Sequence, residues 1–277
     1  MAPSSLHEVV ERLRRGSVVA LTGAGCSTAS GIPDYRGING ILVRGHRPIS
    51  YQEFCSSENA RRRYWARSHA GWPRLSTAVP NSAHRSLTDL EQRGVVRAVI
   101  TQNVDGLHQA AGTDNVVDLH GRLHTVVCLT CGRMEDRNRL HDRLSERNTA
   151  FAVSEFSDRP DGDVEIDDRL IDDFTPVTCR YCDGVLKPDV VFFGEAVPAL
   201  RVERARKLVQ ESSLLLVLGS SLSVYSGRRF VAVAKKHGIP VVIINLGKTR
   251  SDDEASIRLQ ADVSRVLPDL VSLLDGD

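Results

Sequence analysis

The chain lacks an excess of charge of either sign: Lys and Arg number 36, Asp and Glu 35, and the net charge over 277 residues is +1. A dedicated nucleic-acid binder carries a clear basic excess, so that class is set aside. Any apolar run approaching the roughly 20 residues of a membrane-spanning helix is missing too, and no membrane partner is expected. Residues 1–16 read as a short amphipathic helix with Glu8 and Glu11. They lack the apolar core of a secretory signal, and their acids do not suit a transit peptide, so a cytoplasmic location is the expectation. Internal repeats are absent. A hydrophobic content of 41% and a charged content of 26% are ordinary for a globular protein. The length allows one large domain or two smaller ones.

Six cysteines are present, and four fall into two Cys-x-x-Cys pairs, Cys128/Cys131 and Cys179/Cys182. In a reducing compartment such pairs point to a metal rather than to disulfides. Four thiolates suit zinc at tetrahedral angles and leave no position for a reactive water, so the site reads as structural. Neither pair begins a helix after a strand, as a thioredoxin-like redox motif would. A zinc ribbon could also bind nucleic acid, but the acidic run 155–173 beside it opposes that. That run is poor in apolar residues and reads as a mobile loop in an inserted module, 126–183.

A short apolar run, 17–21, leads into Gly23-Ala-Gly-Cys-Ser27. It reads as a buried parallel strand that turns on Gly23 and Gly25, where glycine permits a sharp bend and the approach of a phosphate. Ser27 and Thr28 suit the N-cap of a following helix whose positive end would face that phosphate. The dinucleotide fingerprint wants a third Gly where Thr28 stands, so Gly-x-Gly alone also fits an ordinary βα turn. The continuation, Gly31-Ile-Pro-Asp-Tyr-Arg-Gly37, is polar and turn-rich, with Asp34, Tyr35 and Arg36 close behind the turn. It reads as a loop covering a ligand.

Further apolar runs recur at 95–101, 116–119, 186–193, 214–218 and 240–244, with helical patterns between them. Such alternation predicts an α/β fold with a parallel sheet covered by helices on both faces. Ligands in such sheets bind beyond the carboxyl ends of the strands. Three of those ends carry polar turns: Gln102-Asn-Val-Asp105, Gly219-Ser-Ser221 and Asn245-Leu-Gly247. Each alone is a common turn, and Asp105 could equally cap the residues after it. His120 closes the strand 116–119, and an imidazole titrates near neutral pH, so it is a candidate base. His108 and His124 are nearby rivals for that role.

Gly23-Ala-Gly-Cys-Ser27 with Gly31-Ile-Pro-Asp-Tyr-Arg-Gly37, the Gln-Asn-x-Asp motif, Leu119-His-Gly121 and the four cysteines, in this order, resemble the sirtuins, the NAD-dependent protein deacylases. The resemblance runs from about Gly16 to Leu274. It implies a Rossmann-like NAD domain made of 1–37, 81–125 and 184–277, a helical segment 38–80, and a zinc ribbon 126–183. It implies NAD contacts by Gly23, Ala24, Gly25, Ser27, Thr28, Asp34, Tyr35, Arg36, Gln102, Asn103, Val104, Asp105, Gly219, Ser220, Ser221, Asn245, Leu246, Gly247 and, against the adenine, Val263. It places one structural zinc on Cys128, Cys131, Cys179 and Cys182. His120 is the implied base, with Asn103 and Asp105 beside it, and Val190, Val191, Phe192, Phe193, Gly194 and Glu195 would pair with an acylated protein substrate as an added strand. The implied products are free lysine, nicotinamide and 2′-O-acyl-ADP-ribose.

Arg47-Pro-Ile49, Tyr64-Trp-Ala-Arg67, Gly71-Trp-Pro73 and Thr249-Arg-Ser-Asp-Asp253 look like class II sirtuins, the group that includes the mitochondrial lipoamidase type and bacterial relatives. Tyr35 stands where Phe is common and Ser220 where Thr is common; neither change removes a functional group. Deacetylation is the first expectation. Tyr64 and Arg67, three apart on a helix, could read an acidic, glutaryl-type acyl group, or could be core and solvated surface; a lipoyl group is a further option. Rival readings are a mono-ADP-ribosyltransferase, a hydride-transferring oxidoreductase and a non-catalytic zinc module. The oligomeric state is left open.

Overall fold

The computed structural model describes residues 3–35, 48–151, 157–158 and 164–276. Six strands form a parallel sheet: β1 (Val18–Thr22), β2 (Val96–Thr101), β3 (Val116–Asp118), β9 (Leu214–Leu218), β10 (Val241–Ile244) and β11 (Ile257–Leu259). Their order is β11-β10-β9-β1-β2-β3. Every residue of β1, β9 and β10 is buried, as uninterrupted Val, Leu and Ile runs require when helices cover both faces. On one face α1 (Pro3–Leu13), α4 (Ser82–Gln92) and α10 (Val263–Asp275) lay Leu13, Leu87 and Leu267 against Ala20, Leu216 and Val242. On the other, α8 (Ala199–Gln210) and α9 (Tyr225–Lys236) lay Val209 and Phe230 against Leu21, Val217 and Ile243.

The strand order reverses at β1, whose neighbours are β2 and β9. Thr22 is in register with Thr101 and with Leu218, so the three chains leave the sheet at one level. A crevice at such a reversal point is where open α/β sheets bind ligands.

The second unit is a three-stranded antiparallel sheet, β5-β4-β8, from β4 (Gly121–Cys128), β5 (Met134–Asp136) and β8 (Leu186–Val190). Around it pack α2 (Tyr51–Ser56), α3 (Glu58–Ser76), α6 (Arg137–Arg147) and α7 (Asp168–Asp172). A two-residue hairpin, β6 (Ser157–Asp158) with β7 (Val164–Glu165), and the single turn α5 (Leu107–Ala110) complete the elements. Ser50, Ser57 and Asn81 each cap their helix through a side-chain oxygen, and Asn81 forms a capping box with His84. Among the described residues no helix is long and apolar enough to cross a membrane.

Three expectations change. The segments 121–125 and 186–190, grouped by sequence with the large sheet, lie in the small one. Part of the run read as a mobile acidic loop is core: Val164, Ile166 and Ile171 are buried with Phe174 in the small unit. The turn after β1 opens no α-helix. Ala24–Cys26 and Thr28–Ser30 form two 3₁₀ turns, without a side-chain cap from Ser27. Ser27 is unavailable as a cap because its hydroxyl donates to Asp105 Oδ2.

Candidate active site

Gly23 and Gly25 carry no side chain because the neighbouring loop fills that space. A Cβ at Gly23 would lie 2.8 Å from Gly219 O, and one at Gly25 would lie 2.9 Å from the same oxygen. Gly25 N donates to Gly219 O at 2.9 Å. The glycines therefore let two strand-end turns interlock, a different reason from the phosphate approach expected of them.

The loop after β2 is laced to both turns. Gln102 Nε2 donates to Ser220 Oγ at 2.8 Å and to Thr22 O at 3.2 Å. Asn103 Nδ2 donates to Ser27 Oγ at 2.9 Å and to Gly23 O at 3.1 Å. Ser27 Oγ donates to Asp105 Oδ2 at 2.6 Å, and Leu107 N donates to Asp105 Oδ1 at 2.9 Å. Asp105 is buried, and burial pushes its carboxyl up against the pull of those two donors and of His124. Val104 O accepts from Leu123 N at 2.9 Å, which joins this loop to the small sheet.

His120 ends the β3 segment at the mouth of the crevice. Its Nδ1 lies 2.9 Å from Gln102 O and its Nε2 2.7 Å from Ser226 Oγ. A carbonyl oxygen can only accept, so Nδ1 carries the proton and Nε2 presents a lone pair. Burial holds the imidazole below its ordinary value, and Arg201 and Arg229 act in the same direction, while the Gln102 carbonyl opposes them. The result is a neutral imidazole with a fixed tautomer, the form a general base needs.

Beside it, Val191 N donates to His120 O at 2.8 Å. β8 pairs only with β4 among the described residues, which leaves Leu186–Val190 an edge strand. The turn beyond it is held shut: Phe192 N donates to Glu195 Oε2 at 2.9 Å, and buried Lys187 Nζ lies 3.0 Å from the same oxygen. Gly194 has φ +81 and sits against Gln52, where a Cβ would meet Oε1 at 2.6 Å. Phe193 is 42% exposed and packs edge-on to Tyr35.

Other expected contacts are placed less centrally. Asn245 turns back to Gly247 O at 2.8 Å, and Leu246 is 62% exposed, open to a flat apolar ring. Ser221 Oγ lies 3.1 Å from Ser223 Oγ, Thr28 is exposed, and Ala24, Asp34 and Tyr35 are half-buried. Val263 is buried in the large core at the start of α10. Tyr64 is buried in a cluster with Phe54, Trp65 and Phe192, and Arg67 is half-buried on the same helix. Arg36 lies outside the described residues. Of the rival bases, His108 is buried with Nε2 3.0 Å from Thr22 Oγ1, and His124 lies beside Asp105. Ser226, Lys187 and Arg201 give no signal in the sequence, since each matters through a partner elsewhere in the fold.

Two cysteine-containing clusters could hold a metal. The sulfurs of Cys128, Cys131, Cys179 and Cys182 lie within 4.8 Å of one another, with 3.5 Å between Cys128 and Cys182 and 3.8 Å between Cys131 and Cys179. Tetrahedral zinc with bonds of about 2.3 Å sets its sulfurs roughly 3.8 Å apart, so the quartet fits zinc. Cys26, His84 and His108 also converge, all buried. Here His84 Nδ1 accepts from Asn81 N at 3.3 Å, so its proton is on Nε2. Coordination there would need that proton moved and the cap of α4 broken, so this trio is core beneath the glycine turn.

A parallel sheet with a polar crevice at its reversal point, a small four-cysteine unit and a tautomer-fixed histidine between them define a nucleotide-dependent enzyme of the α/β class. The Sir2 family model matches residues 23–226, and the chain belongs to that family, the sirtuins. It is 53% identical over 256 residues to NAD-dependent protein deacetylase 1 of Streptomyces coelicolor, covering 92% of this chain and 85% of that one. It is 46% identical over 263 residues to an NAD-dependent protein deacetylase of Xanthomonas axonopodis pv. citri, covering 95% and 89%. Among solved structures, Sir2 bound to acetylated peptide superposes with a TM-score of 0.77 at 30% identity, covering 97% and 98%. A Sir2–p53 peptide–NAD+ complex gives 0.76 at 31% identity, covering 98% of each chain.

Proposed function

We propose that this protein is an NAD-dependent protein deacylase that removes acetyl groups from lysine side chains and yields nicotinamide and 2′-O-acetyl-ADP-ribose. The observation that carries it is His120, neutral and proton-fixed at the crevice mouth, with the edge strand β8 alongside. The polar set fits NAD. The side-chain carbonyl oxygens of Gln102 and Asn103, whose amide nitrogens are already spent on Thr22 O, Ser220 Oγ, Gly23 O and Ser27 Oγ, suit ribose hydroxyls, and exposed Leu246 suits adenine.

NAD, when bound, supplies the anomeric carbon from which nicotinamide departs and the ribose that receives the acyl group. The chain's own residues do the rest. Nε2 of His120 takes a proton from a hydroxyl brought against it, while Nδ1–H stays on Gln102 O and keeps the ring aligned. Asp105, fixed by Ser27 and Leu107 N, supplies a buried negative charge next to any positive charge that develops in the crevice. Asn103, held by Gly23 O, presents its carbonyl oxygen from a rigid position. The segment 190–195, where β8 ends and the chain turns beside His120, pairs with an extended acylated peptide, backbone to backbone. The four cysteines hold zinc away from these groups and keep β4, and with it His120, in register.

Purified protein with NAD and acetyl-, glutaryl- and lipoyl-lysine peptides, beside His120→Ala, tests the reading. Acetyl-dependent nicotinamide release with 2′-O-acetyl-ADP-ribose, lost in the variant, is expected. Zinc-loaded protein that releases nicotinamide with none of the peptides would refute it.

A further inference from the structure

α9 begins against the loop after β2, and Gly227 makes that approach possible. A Cβ at 227 would stand 2.3 Å from Gln102 Oε1 and 2.7 Å from Gln102 Cδ. With no side chain in the way, the preceding Ser226, 9% exposed, comes down on the imidazole, and its Oγ lies 2.7 Å from His120 Nε2. Since Nδ1 holds the ring proton against Gln102 O, the hydroxyl of Ser226 is the donor and Nε2 the acceptor. The base is thus gripped from both sides, by a backbone carbonyl on β2's loop and by a helix hydroxyl more than a hundred residues away in sequence.

We propose that Ser226 is a positioning residue for His120: its hydroxyl fixes the ring from the Nε2 side and keeps that lone pair in use until a ribose hydroxyl replaces it. The proposal rests on the reading of His120 as the base. It gives the Ser226–Gly227 pair one joint purpose, in which glycine admits the helix and serine makes the contact. It also resolves a problem of the resting enzyme. A lone pair left unpaired in a half-buried crevice is costly and lets the ring swing, whereas a hydroxyl satisfies it and is exchangeable for the hydroxyl of a substrate at little net change.

The charged groups facing His120 are Arg201 from α8, which pairs with Asp189 of β8 at 2.9 Å, and Arg229 from α9, stacked 4.9 Å over the Tyr225 ring. Neither contact runs through the Ser226 side chain, so the contribution of the hydroxyl is separable from theirs. A donor to Nε2 stabilises the unprotonated ring, and its loss makes the ring easier to protonate. An ordinary hydrogen bond corresponds to a shift of about half a pH unit to one unit, roughly a three- to tenfold change in the protonated fraction at acid pH.

The test is an NMR titration of ¹⁵N-histidine-labelled, zinc-loaded full chain, with His120 assigned from His120→Ala, comparing wild type, Ser226→Ala, Ser226→Thr and Ser226→Cys. The pH profile of kcat/KM for NAD is measured on the same proteins. We expect His120 of Ser226→Ala to titrate at higher pH than wild type, with the acid limb of kcat/KM moving with it. Ser226→Thr, which keeps the hydroxyl, returns toward wild type, and Ser226→Cys, a weaker donor, lies between. Unchanged titration in the alanine variant, or a shift to lower pH, would overturn the proposal. The titration needs no turnover. A shifted His120 in a protein with no NAD-dependent turnover would therefore sink the deacylase reading and leave the Ser226–His120 coupling intact.

Discussion

Ser27 Oγ donates to Asp105 Oδ2 at 2.6 Å, a short bond that ties the turn after β1 to the loop after β2. Such lengths are typical of a hydroxyl on an ionised carboxylate. Burial nevertheless makes that ionisation unfavourable, pushing the Asp105 carboxyl up. A carboxyl raised in the fold binds its proton more tightly folded than unfolded. Its stabilising contribution is present at low pH and is lost as pH rises through the folded value. At neutral pH the charge is therefore a burden kept for chemistry.

Asp105→Asn removes that burden and keeps an oxygen for Leu107 N. The expected result at pH 7 is a melting temperature equal to or above wild type, with kcat lower by about a hundredfold or more. The stability gap between variant and wild type should widen as pH rises through the acid range. A variant that melts markedly lower, with activity falling only in proportion to its unfolding, would make the carboxylate a folding element instead. Thermal melts across pH, beside single-turnover rates, decide it.

His120 is held below its ordinary value of 6.5 by burial, helped by Arg201 and Arg229 and opposed by the Gln102 carbonyl. The base form therefore persists to lower pH than a free imidazole would allow. The acid limb of kcat/KM should fall below pH 6.5, and His120→Ala should lower kcat by about a hundredfold or more. A limb at or above the ordinary value would mean that the charges around the ring act with the opposite sign.

Much of this site could be read from the sequence because it lies on strand ends. Apolar runs such as Leu214–Leu218 announce buried parallel strands, and the polar turns after them fall where such sheets bind ligands. The four cysteines announce themselves by spacing alone. What could not be read is pairing at long range. Ser27 looked like a helix cap because its neighbours suit one, yet Asp105, 78 residues away, takes its hydroxyl. Ser226 carries no local signal, for its meaning comes from His120, 106 residues earlier, and from the missing side chain at Gly227. The division of the chain into units failed at β4 and β8 for the same reason: strands of ordinary composition do not say which sheet they join.

The zinc quartet joins Cys128 at the end of β4 to Cys179 and Cys182 just before β8, and β4 begins at the residue after His120. Metal content should be one zinc per chain. Cys179→Ser, or treatment with a strong chelator, should release it, lower the melting temperature and abolish activity together, because binding energy at structural zinc is folding energy. Metal analysis with circular dichroism checks this. Full activity in zinc-free protein would detach the quartet from the position of His120.

Lys187 poses the sharpest energetic question in the substrate edge. Its side chain is 4% exposed and lies 3.0 Å from Glu195 Oε2, with the Phe192 ring 4.7 Å beneath the ammonium. It also donates to Val190 O and Pro188 O. One buried cation thus closes the turn that follows the edge strand, and the next residue, Val191, is hydrogen-bonded to the His120 backbone. Lys187→Met keeps the apolar stem over Phe192 but leaves two carbonyls without this donor and Glu195 with Phe192 N alone. Glu195 is partly exposed and can turn to water, so the cost should fall at about 2–3 kcal/mol, the low end for a broken buried pair. With the turn loosened, the peptide edge is no longer preformed, and the ordering it needs must come out of binding. KM for the acylated peptide should rise about tenfold, while KM for NAD, whose implied contacts lie on the loops of β1, β2, β9 and β10, should hardly move. Lys187→Arg, which retains the charge, should lose less of both stability and peptide affinity. Equal rises in the two KM values would show instead that the turn supports the whole crevice rather than the peptide edge alone.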